Sequence, residues 1–196
     1  MSTLATRNRI GVLGASFSMA LLVGLLWLLE GVDQASGNSL DRYGIQPRTG
    51  EGLFEVFTAP FLHIGWAHLA ANTIPFFVLG VIVLLDGWRQ WLTVTLWVVV
   101  ASGATVWLIA PAGSVTLGAS GVVFGWLTYL MVRGLYTRAP GQVALGVVLM
   151  LFYGGLLLGV LPTDTGVSWQ AHLGGAIGGV LAASRQRRRP VDPRWD

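Results

Sequence analysis

Six long apolar runs dominate the sequence, and they constrain the fold more than anything else in it. They cover about residues 10–29, 66–85, 91–110, 117–132, 142–160 and 168–183. A helix crossing a bilayer untilted needs roughly 20 such residues; the fourth and sixth runs are shorter. Within hydrocarbon a chain must satisfy its own backbone polar groups, so runs of this kind fold as helices. The rest of the composition agrees: 54% of the 196 residues are hydrophobic and 11% charged, too apolar for an ordinary soluble domain. Breakers separate the runs at Asp86-Gly87, Pro111-Ala112-Gly113, Ala139-Pro140-Gly141 and Pro162-Thr163-Asp164. The first run follows Arg7 and Arg9, as a signal peptide's would. It is too long for one, and no small-x-small site follows closely, so a retained span is expected. The prediction is an all-α polytopic membrane protein with one six-helix domain over residues 1–196, ending in a basic tail at 184–196.

All 12 basic residues are arginine, and the pI is near 10. Nucleic acid is one explanation of such a pI; topology is a better one. With six spans both termini share a side. That side holds Arg7, Arg9, Arg89, Arg133, Arg138, Arg185, Arg187, Arg188, Arg189 and Arg194, while the other holds only Arg42 and Arg48. Positive residues stay on the cytoplasmic side, so both termini are expected there, with the tail near anionic headgroups and no nucleic-acid partner. The loop 31–65 then lies outside. Leu53, Phe54, Val56, Phe57, Phe61 and Leu62 punctuate it, which predicts a loop resting in the headgroup region. There is no cysteine, hence no disulfide, thiol nucleophile or Cys-ligated metal.

Polar residues at membrane depth need a reason. Spans two, four and six run in the same direction, and their inner ends are marked by Asp86, Arg133 and Arg185. Ser120 lies 13 residues before its marker, His172 13 before its own, and Asn72 14 before the third. At about 1.5 Å per residue all three sit roughly 20 Å above the inner boundary, about 10 Å below the outer surface. His68 is one turn above Asn72 on the same face.

A serine hydroxyl becomes a useful nucleophile when a base takes its proton, and histidine is the usual base near neutral pH. His172 is the expected base for Ser120. The Asn72 amide, His68 and the Ser120 backbone N–H are the candidate oxyanion donors, and the helix N-terminus at Ser120 favours developing negative charge. No Asp or Glu stands near this depth, so the site reads as a Ser–His dyad with no metal or cofactor. Gly118, Gly121 and Gly125 on span four, with Gly175 and Gly179 on span six, offer the small surfaces needed for close helix approach. Phe124, one turn below Ser120, is placed to pack against the His172 ring. His63 reads as an interfacial residue outside the chemistry.

These residues stand in three ordered blocks: Ala59-Pro60-Phe61-Leu62-His63 leading to His68-Leu69-Ala70-Ala71-Asn72, then Gly118-Ala119-Ser120-Gly121, then Ala171-His172-Leu173-Gly174-Gly175-Ala176-Ile177-Gly178-Gly179. In this the sequence resembles the rhomboid intramembrane serine proteases, over nearly the whole chain after the first span. The resemblance implies a six-helix bundle with a water-filled cavity open to the outside. It implies cleavage of single-span or polytopic membrane proteins near the outer ends of their transmembrane segments. Carried over, Ser120 is the nucleophile, His172 the base, and Asn72 with His68 the oxyanion stabilisers, with Gly118 in the same site's backbone. Two departures stand out: Leu53-Phe54-Glu55 where many relatives have Trp-Arg, and Phe124 where some have Tyr. Ala119 precedes an intact Ser120, where inactive relatives carry Pro or lose the Ser or His. The two other readings are a non-catalytic binder of membrane helices and a transporter with a histidine relay. With no further domain and no transit-like segment, a prokaryotic plasma membrane is the expected home.

Overall fold

The computed structural model describes residues 10–162 and 166–186. The expectations placed on Arg7, Arg9, Thr163, Asp164, Arg187, Arg188, Arg189 and Arg194 lie outside the described residues. Seven α-helices follow in order: α1 Val12–Ala35, α2 Gly50–Glu55, α3 Trp66–Leu84, α4 Trp88–Ile109, α5 Ser120–Thr137, α6 Pro140–Tyr153 and α7 Trp169–Ser184. Six of them coincide with the six apolar runs. The seventh, α2, is a correction to the expected six. It is one and a half turns long, in the loop after α1, capped by Thr49, whose side chain accepts from the Gly52 N–H.

Among the described residues four helical segments are long and apolar enough to cross a membrane: Val12–Ala35, Trp66–Leu84, Trp88–Ile109 and Pro140–Val160. The protein is a multi-pass membrane protein. α7 is too short for this count at 16 residues, and α5 is interrupted by Arg133. The fifth run also departs from a plain α-helix. At Gly154-Gly155 its hydrogen bonding tightens into a seven-residue 3-10 stretch, Gly154–Val160. Paired glycines lower helix propensity locally, and 3-10 runs rarely exceed four residues.

The loops are built by specific residues. Gly65 and Gly87 take φ of +83° and +101°, which starts α3 and α4 from turns that a side chain would oppose. Arg138 ends α5 in the left-handed region, and Pro140 opens α6 at a position needing no N–H. The loop expected to rest in the headgroup layer is folded. Ile45 and Thr116 exchange both backbone hydrogen bonds, at 2.7 and 3.0 Å, pinning it to the approach of α5. Ile45, Val56 and Ala59 face inward, while Leu53, Phe54, Phe57 and Phe61 remain exposed.

α5 sits at the centre, buried on every side from Gly121 to Leu130. It packs against α7, and α7 against α4. A Cβ on Gly175 would collide with the Gly121 carbonyl, and one on Gly179 with the Gly125 carbonyl, so the two backbones touch along a glycine seam. Hydroxyls cross between helices: Ser102 donates to the Ala171 carbonyl at 2.8 Å, and Thr128 to the Ala176 carbonyl at 3.0 Å. At the far end of α5, Arg133 pairs with Asp86, and Tyr129 accepts from Gln90 and Gln186. That end is thereby tied to the α3–α4 turn and to the end of α7.

Candidate active site

Ser120 is the first residue of α5. Two hydrogen bonds hold the turn that delivers it: the Gly118 N–H donates to the Ala59 carbonyl at 2.9 Å, and the Ala119 N–H to His63 Nε2 at 3.3 Å. Gly118 adopts φ +133°, and a Cβ there would lie 2.6 Å from His68 Cε1. Both conformation and contact therefore require glycine. With its own N–H engaged, Gly118 contributes to the site through the absence of a side chain rather than as an oxyanion donor. The Ser120 N–H, in the first turn of α5, has no intrahelical carbonyl to meet.

The expected partners of Ser120 meet it unevenly. His172 Nε2 lies 2.9 Å from Ser120 Oγ. The His172 ring stacks on Phe124, centroids 3.9 Å apart and 6° from parallel, which holds its rotamer as the one-turn spacing predicted. Gly121 and Gly175, whose backbones touch, lie close to these two residues along α5 and α7, and Gly125 with Gly179 extends the seam one turn on. His68 borders the cavity in front of Ser120. Asn72 is buried at 6% exposure and spends one amide N–H on the His68 carbonyl at 3.0 Å, leaving the other N–H free. It stands one turn along α3 from His68.

His63 is a correction. Expected at the interface, it is 1% exposed, and its ring stands edge-on to His68 at 5.3 Å. Burial, with His68 beside it, pushes this imidazole down to about 4, so it is neutral and can accept the Ala119 N–H. The signal was present, since His63 stands five residues before His68 in the same motif block. Gly159 was missed altogether. Its carbonyl lies 3.0 Å from His172 Nδ1, and nothing in a residue letter marks a backbone oxygen.

A cavity of about 730 Å³ opens in front of Ser120. It is bounded by His68 and Ala71 from α3, Ser114 to Gly118 before α5, and Gly166 to Ala171 at the start of α7. Ser168 caps α7 there, accepting from the Ala171 N–H at 3.2 Å. The arrangement puts a hydroxyl and an imidazole in hydrogen-bond reach of each other beside an open space. No group of His, Asp and Glu suited to a metal ion occurs among the described residues.

Comparison with known proteins shows the family. The family model for the rhomboid domain matches residues 50–189. An uncharacterised protein of Mycobacterium tuberculosis is 43% identical over 192 residues, covering 93% of this chain and 79% of its own. Rhomboid-like protease 5 of Toxoplasma gondii is 32% identical over 150 residues, 73% of this chain and 17% of that one. Rhomboid protease GluP of Bacillus subtilis is 30% identical over 135 residues, 67% and 25% of the two chains. With the match spanning most of the chain and taking in Ser120, His172 and the glycine seam between them, the chain belongs to the rhomboid family.

Proposed function

We propose that this protein is an intramembrane serine endopeptidase that cuts transmembrane segments of other membrane proteins near their outer ends. The observation that carries the proposal is the 2.9 Å approach of His172 Nε2 to Ser120 Oγ at the floor of an open cavity. α5 and α7 count as spans here although short. α5 is wrapped by the other helices, and α7 buries its glycine face against α4 and α5 while Ile177, Val180 and Leu181 stay exposed, so a shorter span is accommodated by its neighbours.

His172 takes the Ser120 proton as Oγ attacks the scissile carbonyl carbon. The tetrahedral oxyanion falls between the Ser120 N–H, His68 and the free Asn72 N–H, the donors available on that side. His172 then gives its proton to the leaving amine as the C–N bond breaks. Water enters from the cavity, loses a proton to His172 and hydrolyses the acyl-enzyme. No cofactor takes part. An intact substrate helix hides its carbonyls, so substrates with small or helix-breaking residues near the outer end of the span are favoured.

The test is purified protein in lipid with a single-span substrate, wild type beside Ser120→Ala and His172→Ala, read by gel and mass spectrometry. A single cut near the outer end, made by wild type alone, is expected. Cleavage by either folded variant would overturn the assignment, as would a wild type that binds several such substrates and cuts none.

A further inference from the structure

Among the described residues no carboxylate meets His172: α3, α5 and α7 contain no Asp or Glu. Its Nδ1 instead faces the Gly159 carbonyl at 3.0 Å. A carbonyl oxygen can only accept, so the Nδ1 atom carries the proton and the Nε2 atom keeps its lone pair toward Ser120.

The local sequence explains why that carbonyl has no 3-10 partner. Gly159 lies in the 3-10 stretch Gly154–Val160, where each carbonyl seeks the N–H three residues on. Leu158 finds Leu161 at 3.1 Å. Gly159 would find residue 162, which is proline and has no N–H. Its oxygen is left for His172. Glycine at 159 is required by contact, because its φ is not in the left-handed region. A Cβ there would lie 2.9 Å from Phe124 Cζ and 3.1 Å from His172 Nδ1, wedged against both rings of the stacked pair.

We infer that Gly159 is a positioning residue whose main-chain carbonyl takes the place of a third catalytic side chain, fixing the tautomer and the seat of the His172 base. This rests on the protease reading. The 3-10 stretch packs Leu157 against the core and leaves Leu156 and Leu158 on its outer face.

The experiment compares wild type, Gly159→Ala, Pro162→Ala and Gly24→Ala in lipid with a single-span substrate, separating kcat from KM, with Ser120→Ala as the blank. Imidazole 15N spectra of wild type, assigned with His172→Ala, report the tautomer independently of turnover. Expected are a proton on Nδ1 of neutral His172 and a kcat about 10²-fold lower in Gly159→Ala at similar KM, the scale of an ångström of misplacement. Pro162→Ala, which supplies a competing N–H, is expected to lose several-fold. Gly24→Ala, on α1 and with nothing within 4 Å of its added carbon, is expected to match wild type. A proton on Nε2 in the wild type, or full kcat in Gly159→Ala, would sink the inference. A wild type that cuts nothing while its Nδ1 is protonated would instead count against the protease reading and leave the positioning intact.

Discussion

At the scale of single residues, the site depends on where side chains are held as much as on what they are. Phe124 makes the point. Its contribution is a flat face against His172, so Phe124→Ala is expected to lower kcat by about 10²-fold through a loosened base. Phe124→Tyr keeps the face and is expected to stay within a few-fold of wild type, checked by steady-state cleavage in lipid. Asn72 differs, since the proposed mechanism turns its second N–H toward the oxyanion and not toward the resting serine. Asn72→Ala is expected to cost about 10²–10³-fold in kcat, with substrate binding little changed. His63 adds a pH dependence. Its folded-state pKa, about 4, lies below the ordinary histidine value of 6.5, so the folded state resists protonation that the unfolded chain accepts. The stability it contributes is whole above about 6.5 and is lost as pH falls toward 4. Thermal unfolding in detergent between those limits should show this fall, and a smaller one in His63→Gln, whose amide oxygen can accept from Ala119 without titrating.

At the scale of elements, the glycine seam between α5 and α7 decides whether Ser120 and His172 meet at all. Gly175→Val places a branched side chain against the Gly121 carbonyl, and the expected outcome is loss of cleavage with a lowered melting temperature. Thr128→Val removes only the hydroxyl that reaches the Ala176 carbonyl, and is expected to cost about 1 kcal/mol by thermal unfolding while activity survives. The helices themselves were legible in the sequence, because a bilayer imposes a length and an apolarity that leave a plain signature. Ser120, His172 and the seam were legible too, since polar and small residues stand out against aliphatic runs. What could not be read was made by main chain. The Ile45–Thr116 bridge is a single residue pair with no period, and the Gly159 carbonyl belongs to every residue alike. Helix α2 is only six residues long, below the length at which apolar spacing is distinctive. His63 was read wrongly because a histidine just ahead of a span looks interfacial until the turn that buries it is seen.

At the scale of the whole molecule, the two ends of α5 divide the work. One end carries Ser120 and opens on the cavity. The other, 13 residues on, carries Arg133, tied to Asp86. Those residues are about 20 Å apart along the helix, so the catalytic end and the charged end lie toward opposite faces of the bilayer. The arginines choose which face is which. Ten fall on the Arg133 side by the six-span reading and two on the cavity side, an asymmetry from which we propose that the Arg133 side faces the cytoplasm. On that proposal the cavity opens outward, where water for hydrolysis is at hand and a substrate span can unwind at its end. Reporter fusions at both termini and in the 31–65 loop test this directly. The termini are expected to report the cytoplasm and the loop the exterior. An opposite pattern would turn the cavity inward, and cleavage would then fall near the cytoplasmic ends of substrate spans, a difference that mass spectrometry of the cut products would show in the same cells.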